Sequence, residues 1–357
     1  MRSDAITRVE AQRWGGLTAY TLSRADGRAG LRARVLSLGG VLDALWVPGR
    51  AGACDDVVLG LSTPGHYTDG NPACFGALVG RFANRIAHGR LEIDGREYQL
   101  PRNEENAQLH GGRAGFSWQP FEVQVEDGQL VLTRESPDGE MGYPGRLELT
   151  VRISLTPEGG LRYAYEAVTD RPTVVNLTAH PYFNLAGHAA GPERLGRHQL
   201  QVDADAFLPV RPDTLTPTGE LCAVAGSAFD LRARRPLGPV FRDAHPQMVL
   251  RRGLDHNFVL RPGRDRRAPA ASVVDPESGR RMDVYTDQPG IQVYGSNFLS
   301  DDLPSKDGAT YGPYAGLCLE TQHFPDSPNM PHFPSTLLRP GERWTSFTEY
   351  RFSVTEA

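Results

Sequence analysis

Between residues 147 and 167 the chain alternates with a period of two. Leu147, Leu149, Val151, Ile153 and Leu155 are separated by Glu148, Thr150, Arg152 and Ser154. After the turn Pro157-Glu158-Gly159-Gly160 the pattern resumes at Leu161, Tyr163, Tyr165 and Ala167. Side chains on a strand point alternately to opposite faces, so this stretch predicts a hairpin with one apolar face. Leu91-Glu92-Ile93 and Arg96-Glu97-Tyr98 flank Asp94-Gly95, and Val123-Gln124-Val125 and Leu130-Val131-Leu132 flank a turn with Asp127-Gly128. Asp-Gly tolerates the positive φ of tight hairpin turns. The chain closes on a further strand with Trp344, Tyr350, Phe352 and Val354 on one face. The 39 glycines and 28 prolines leave little room for long helices, because both residues are poor in helix interiors. No stretch holds a helical period, and no repeat of about 20–50 residues is present. The prediction is an all-β chain, a large antiparallel β-sandwich, with residues 1–357 as one domain and 186–197 as a loop.

Composition removes several classes of function. A net charge of -5 offers no basic face for nucleic acid. The densest basic cluster, Arg261 to Arg267, is interrupted by Pro262 and Asp265 and reads as a solvated turn. Cys54, Cys74, Cys222 and Cys318 form no C-x-x-C pair, which predicts free thiols in a reducing, cytoplasmic setting. The N-terminal segment has no secretory apolar core, and no apolar run reaches the ~18 residues of a membrane span. Asn176-Leu177-Thr178 fits a glycosylation sequon and reads as accidental in that setting.

The chemistry sits in polar residues that interrupt the alternating strands. Glu320 follows Leu317-Cys318-Leu319; on a strand, Leu317 and Leu319 face a core while Cys318, Glu320 and Gln322 face the other way. Glu320 reads either as an exposed strand glutamate or as an acid held rigidly before the proline-rich loop at Pro325, Pro328, Pro331 and Pro334. In VVNLTAHPYFNL (174–185), Asn176, Thr178 and His180 share one face, and Pro181 ends the ladder because it lacks an N–H. An imidazole at a strand end is either structural or a proton carrier. Arg85, beside Asn84 in GRFANRIAH, either extends to solvent or offers a fixed fork of donors. His110 precedes two glycines that permit close backbone approach. Asp255 either caps a turn or serves a site, and Gln292 shares a face with Tyr294. No metal-binding, Walker, dinucleotide or G-x-S-x-G motif is present. What remains is an acid/base set among hydrogen-bonding side chains, which suits a ligand covered in hydroxyls.

These stretches resemble the aldose 1-epimerases, also called galactose mutarotases. The resemblance rests on GRFANRI at 80–86, LHGG at 109–112, VNLTAHPYFNLAG at 175–187, LDHNFVL at 254–260, GIQVYGSNFL at 290–299 and GLCLETQHFPDSPN at 316–329, with DVVLG at 56–60 a weaker match. It implies a β-sandwich with the site in a cleft on one sheet and interconversion of the α and β anomers of a free aldose, without cofactor or metal. Glu320 then matches the base that takes the C1 hydroxyl proton, and His180 the acid that protonates the ring oxygen. Arg85, His110, Asp255 and Gln292, with Asn84 beside them, match the residues that hold sugar hydroxyls. On this view His180 enters protonated and Glu320 ionised, and the proline-rich loop walls the cleft. The partner is a small aldose, not nucleic acid or membrane; both monomer and homodimer stay open.

The sequence departs from the family at Ala179 and Pro181, where Asn and Ser are usual, and at Tyr314-Ala315, where His-Ser is frequent. Neither change removes an acid/base group. Three other readings compete: an epimerase for hexose 6-phosphates, a carbohydrate-binding module, and a glycosidase using Asp255 and Glu320 as paired carboxylates.

Overall fold

The computed structural model describes residues 7–24 and 30–356, so the first six residues of the N-terminal segment discussed above lie outside it. The alternating stretch forms the hairpin Leu147–Leu155 and Gly160–Thr169, with Val151 opposite Tyr165 and Ile153 opposite Tyr163. The strand Leu147–Leu155 buries each odd-numbered residue and leaves the even ones more exposed, as a half-buried strand requires. The Asp-Gly hairpins form at Arg90–Ile93/Arg96–Gln99 and Glu122–Glu126/Gln129–Ser136. Asp94, Gly95, Asp127 and Gly128 all take positive φ.

The hairpin Leu147–Leu155/Gly160–Thr169 supplies the third and fourth strands of a nine-stranded antiparallel sheet. In spatial order its strands are Glu122–Glu126, Gln129–Ser136, Leu147–Leu155, Gly160–Thr169, Trp344–Val354, Arg280–Thr286, Ala271–Val274, Gln199–Val202 and Arg235–Pro236. A five-stranded sheet carries the order Cys222–Ala223, Ala204–Phe207, Asp255–Leu260, Gly290–Tyr294, Cys318–Gln322. Another five-stranded sheet is built in chain order from Thr7–Trp14 to Cys54–Asp56. One apolar core joins all three: Val151, Tyr163, Val284 and Tyr350 from the first, Phe258, Ile291, Val293 and Leu319 from the second, Ala33, Val35 and Leu45 from the third. The sheets therefore pack face to face, as expected for a sandwich.

Three sequence expectations need correction or sharpening. Segment 186–197 is not all loop, because Gly191–Arg197 forms a short helix, the longest among the described residues at seven residues. Asp255 does not cap a turn; it opens the strand Asp255–Leu260. The sequon asparagine, Asn176, is fully buried, and its side chain spans the carbonyl of Ala83 and the backbone of His323. All four cysteines are unpaired.

Buried polar anchors fix the loops around the site. Arg81, 2% exposed, donates through Nη1 to the carbonyls of Pro144 (2.9 Å) and Gly145 (2.8 Å) and through Nη2 to that of Ser136 (3.1 Å). Arg81→Met leaves three buried carbonyls unpaired at about 1–3 kcal/mol each. The urea midpoint is expected to fall by the equivalent of at least ~3 kcal/mol with the slope unchanged. Two buried histidines make stability depend on pH. His198 donates from Nδ1 to the Arg194 carbonyl and accepts at Nε2 from the Leu185 amide, while His256 accepts at Nδ1 from the Asp255 amide and faces Gln247 Oε1 with Nε2. Each needs a neutral ring, and burial holds His198 at about 4 and His256 at about 3. Unfolded, both titrate near 6.5, so the unfolded chain binds more protons between those values. Stability is therefore expected to fall as pH drops from 6.5 towards 4, measured by urea unfolding across that range.

Candidate active site

The site is assembled on one face of the sheet that holds Glu320. Residues directly opposite on neighbouring strands share a face. Asn257 lies opposite Gln292, and Gln292 opposite Glu320; one pleat along, Asp255 lies opposite Tyr294, and Tyr294 opposite Cys318. Two polar rows thus cross three strands. Glu320 is 2% exposed, which overturns the exposed-strand reading.

His180 arrives along the open edge of the Glu320 strand. Phe183 and Leu317 exchange both backbone hydrogen bonds at 2.8 Å, an antiparallel bridge. Three residues back on one segment and three forward on the other, this register sets His180 against Glu320. The Asn176 side chain pins the far end of the same pair of segments at His323. His180 Nε2 stands 3.5 Å from Glu320 Oε2. It follows the short strand Thr178–Ala179, and its backbone bonds to Ala77 and Gly76. Tyr182 stacks on its ring at 5.0 Å, and His110 meets it edge-on at 5.3 Å.

The cleft over this face has a volume of about 510 Å³. All seven residues singled out in the sequence line it: Asn84, Arg85, His110, His180, Asp255, Gln292 and Glu320. Arg85 does not reach out to solvent; Nε and Nη2 grip Glu104 at 2.6 and 2.8 Å, leaving Nη1 for the cleft. Asn84 Oδ1 accepts from the Arg85 amide, and the Asn84 amide donates to His110 Nδ1 at 3.2 Å. Gln292 Nε2 donates to Asp255 Oδ1 at 2.7 Å, and Arg251 binds the other Asp255 oxygen.

Sequence reading missed Glu104 and Arg251, the partners that fix Arg85 and Asp255. Glu104 lies in a polar loop, and Arg251 ends a six-residue helix, Pro246–Arg251; neither place carries a periodic signal. The proline-rich loop forms less of the wall than expected. The main cleft is rimmed by Pro72–Cys74 and by Phe298, Leu299, Ser300 and Leu303, and Pro325 lines a small pocket beside it with Asn84, Arg85, Asp255 and Gln292. That loop runs along the edge of the Arg85 strand: the Asp326 amide donates to the Arg85 carbonyl, and Asp326 Oδ1 accepts from the Ala87 amide.

Electrostatics separate the two carboxylates. Burial alone would raise Asp255, but Arg251 and Arg85 outweigh it and hold the group at about 2. For Glu320 the balance is the other way; burial, with the Asp255 charge nearby, outweighs the pull of Arg85 and raises it well above its ordinary value. Burial lowers His180 to about 4, and burial followed by the His180 and Arg85 charges holds His110 well below 6.5. Burial thus favours the neutral form of each partner, the protonated carboxyl of Glu320 and the unprotonated imidazole of His180. Neutral His110 accepts at Nδ1, so its proton lies on Nε2 as a donor.

His110, His180 and Glu320 also present ligand atoms within 4.8 Å of one another. A metal-ligating imidazole donates its second N–H outward, whereas His110 already accepts on that side from Asn84. The set suits hydroxyl groups better than an ion.

The arrangement is that of an acid/base enzyme for a hydroxyl-rich small molecule, built on a β-sandwich. A profile of the aldose 1-epimerase family matches residues 20–351. Over 321 residues, 90% of each chain, the sequence is 46% identical to galactose mutarotase of Mus musculus. It is 36% identical to aldose 1-epimerase of Escherichia coli K12 over 336 residues, 93% of this chain and 95% of that one. Among solved structures, an aldose epimerase homologue from C. elegans superposes with a TM-score of 0.84 at 30% identity, covering 92% of this chain and 97% of that one. A galactose 1-epimerase from Lactobacillus acidophilus superposes at 0.83 with 29% identity, covering 98% and 99%. The chain belongs to the aldose 1-epimerase family.

Proposed function

We propose that this protein interconverts the α and β anomers of free hexoses, galactose and glucose first among them, with Glu320 and His180 as the proton-transfer pair. The observation that carries this reading is the buried His180–Glu320 pair, 3.5 Å apart, facing a cleft lined by hydrogen-bonding side chains. Opening a hemiacetal ring requires loss of the O1 proton and gain of one at the ring oxygen. Glu320 takes the first and His180 supplies the second. The C1–C2 bond of the open aldehyde rotates, and closure on the other face reverses both transfers. Asn84, Arg85, His110, Asp255 and Gln292 hold the remaining hydroxyls.

One proton shared by the pair is the count this cycle needs. Sugar binding moves it from Glu320 to His180: hydroxyls donating to the carboxylate favour its ionised form, and the fixed Asp255 charge favours imidazolium. Adding a second proton to the pair removes the base, and losing the only one removes the acid. A bell-shaped kcat/KM profile is therefore expected. Its acid limb follows entry of a second proton into the pair, held to low pH by the burial that lowers His180 to about 4. Its alkaline limb follows loss of the proton that Glu320 holds above its ordinary range. The two limbs belong to the pair rather than to either residue.

Two observations weigh against the competing readings. Each cleft arginine is matched by a carboxylate, Arg85 by Glu104 and Arg251 by Asp255, so neither is a spare cation for a phosphate dianion. Both Asp255 oxygens are committed to Arg251 and Gln292, which suits a fixed binding charge more than the nucleophile of a glycosidase. No described helix is long and apolar enough to cross a membrane. With its unpaired cysteines, the chain is proposed to work in the cytoplasm as one domain. Magnetisation-exchange NMR on galactose, glucose and glucose 6-phosphate tests the reading. Exchange between anomers of the free sugars supports it; exchange confined to the phosphate ester, or none, overturns it.

A further inference from the structure

Arg251, the partner of Asp255, is itself held at the cleft from several sides. Its guanidinium binds Asp255 Oδ2 through Nε at 3.1 Å and through Nη2, and lies 4.8 Å from the centre of the Phe298 ring. Its carbonyl accepts from Asn297 Nδ2 at 2.8 Å, and the same amide group holds the Leu254 carbonyl at 2.8 Å. The helix that ends at Arg251 is tied to the site strand a second time, through Gln247 Oε1 and His256 Nε2. These contacts, with the tie of its helix through Gln247, make a rigid clamp of a residue 6% exposed.

We infer that Arg251 is a positioning residue for the sugar: by holding one Asp255 oxygen it fixes the carboxylate so that Gln292 takes the other, and the three side chains present one pre-set edge to the hydroxyls. An aspartate released from Arg251 would turn about its side-chain bonds, and Gln292 would lose its fixed acceptor. The planar fork matters here, because a lysine supplies the charge without two co-directed donors. This inference rests on the cleft being the sugar site.

The test measures KM and kcat for galactose anomer exchange in wild type, Arg251→Gln, Arg251→Lys, Asp255→Asn and the double variant Arg251→Gln/Asp255→Asn. Losing a charge-assisted clamp is expected to raise KM by roughly tenfold or more in Arg251→Gln, with a smaller change in kcat. Arg251→Lys is expected to fall between the two. Because Arg251 acts through Asp255, the double variant is expected to bind sugar no worse than Asp255→Asn alone. A merely structural role would lower the active fraction, and so kcat, at unchanged KM. Should Arg251→Gln fail to fold, the neutral double variant and Arg251→Lys carry the comparison. An Arg251→Lys enzyme equal to wild type, or additive effects in the double variant, overturns the inference. Absence of exchange in wild type overturns the proposed function instead, so the two failures are distinguishable.

Discussion

Glu320→Gln is expected to lower kcat for anomer exchange by roughly 10²–10⁴-fold, the range over which a positioned general base contributes. Glutamine keeps the shape and one acceptor oxygen but cannot take a proton. The side chain is 2% exposed and its strand is paired to Gly290–Tyr294, so the substitution disturbs little else. The same variant carries a second signature. The folded protein holds the Glu320 proton above its ordinary range, whereas the unfolded chain releases it near 4.3. Raising the pH above that value therefore weakens the wild type until the folded group ionises as well. Glutamine has no proton to release, so Glu320→Gln is expected to be at least as stable as wild type at pH 8. Low activity in a protein that melts no earlier separates loss of a base from loss of the fold. A kcat within a few-fold of wild type would show that another group takes the O1 proton.

His180→Asn is expected to cause a loss of similar size, roughly 10²–10⁴-fold. Asparagine can donate a hydrogen bond to the ring oxygen but cannot hand over a proton. Combining it with Glu320→Gln is expected to add little to either single loss, because the two groups act as a unit. The acid limb of the pH profile gives an independent check. In wild type it reflects a second proton entering the pair at His180, so the residual activity of His180→Asn is expected to lose that limb. A residual profile with an unchanged acid limb would assign the second proton elsewhere. His110 is the neighbour to examine in that case, since its ring lies 5.3 Å from that of His180.

Much of the fold is legible because a strand with one buried face writes its own period. Leu147 to Leu155 alternate in sequence and in burial alike, and the Asp-Gly turns sit where their positive φ is used. The same rule placed Glu320 and Gln292 on the faces they occupy. It could not say that Gln292 lies opposite Glu320, because register between strands far apart in sequence is set by packing. Nor could it bring His180 to Glu320; that follows from the Phe183–Leu317 bridge at the sheet edge. Glu104 and Arg251 were invisible because their loop and short helix have no period to betray a function. The protonation of the pair is not legible either, because it depends on burial, which favours the neutral form of both Glu320 and His180. The proline-rich loop looked like a cleft wall; it runs along the edge of the Arg85 strand, and Pro325 lines a small pocket beside the cleft.

The most direct measurement is the optical rotation of freshly dissolved α-D-galactose and α-D-glucose, followed with wild-type protein, with Glu320→Gln and with buffer alone. The wild type is expected to speed the approach to the equilibrium rotation without changing its final value, and Glu320→Gln to run close to the buffer rate. A wild-type trace that coincides with buffer for both sugars would contradict the central claim.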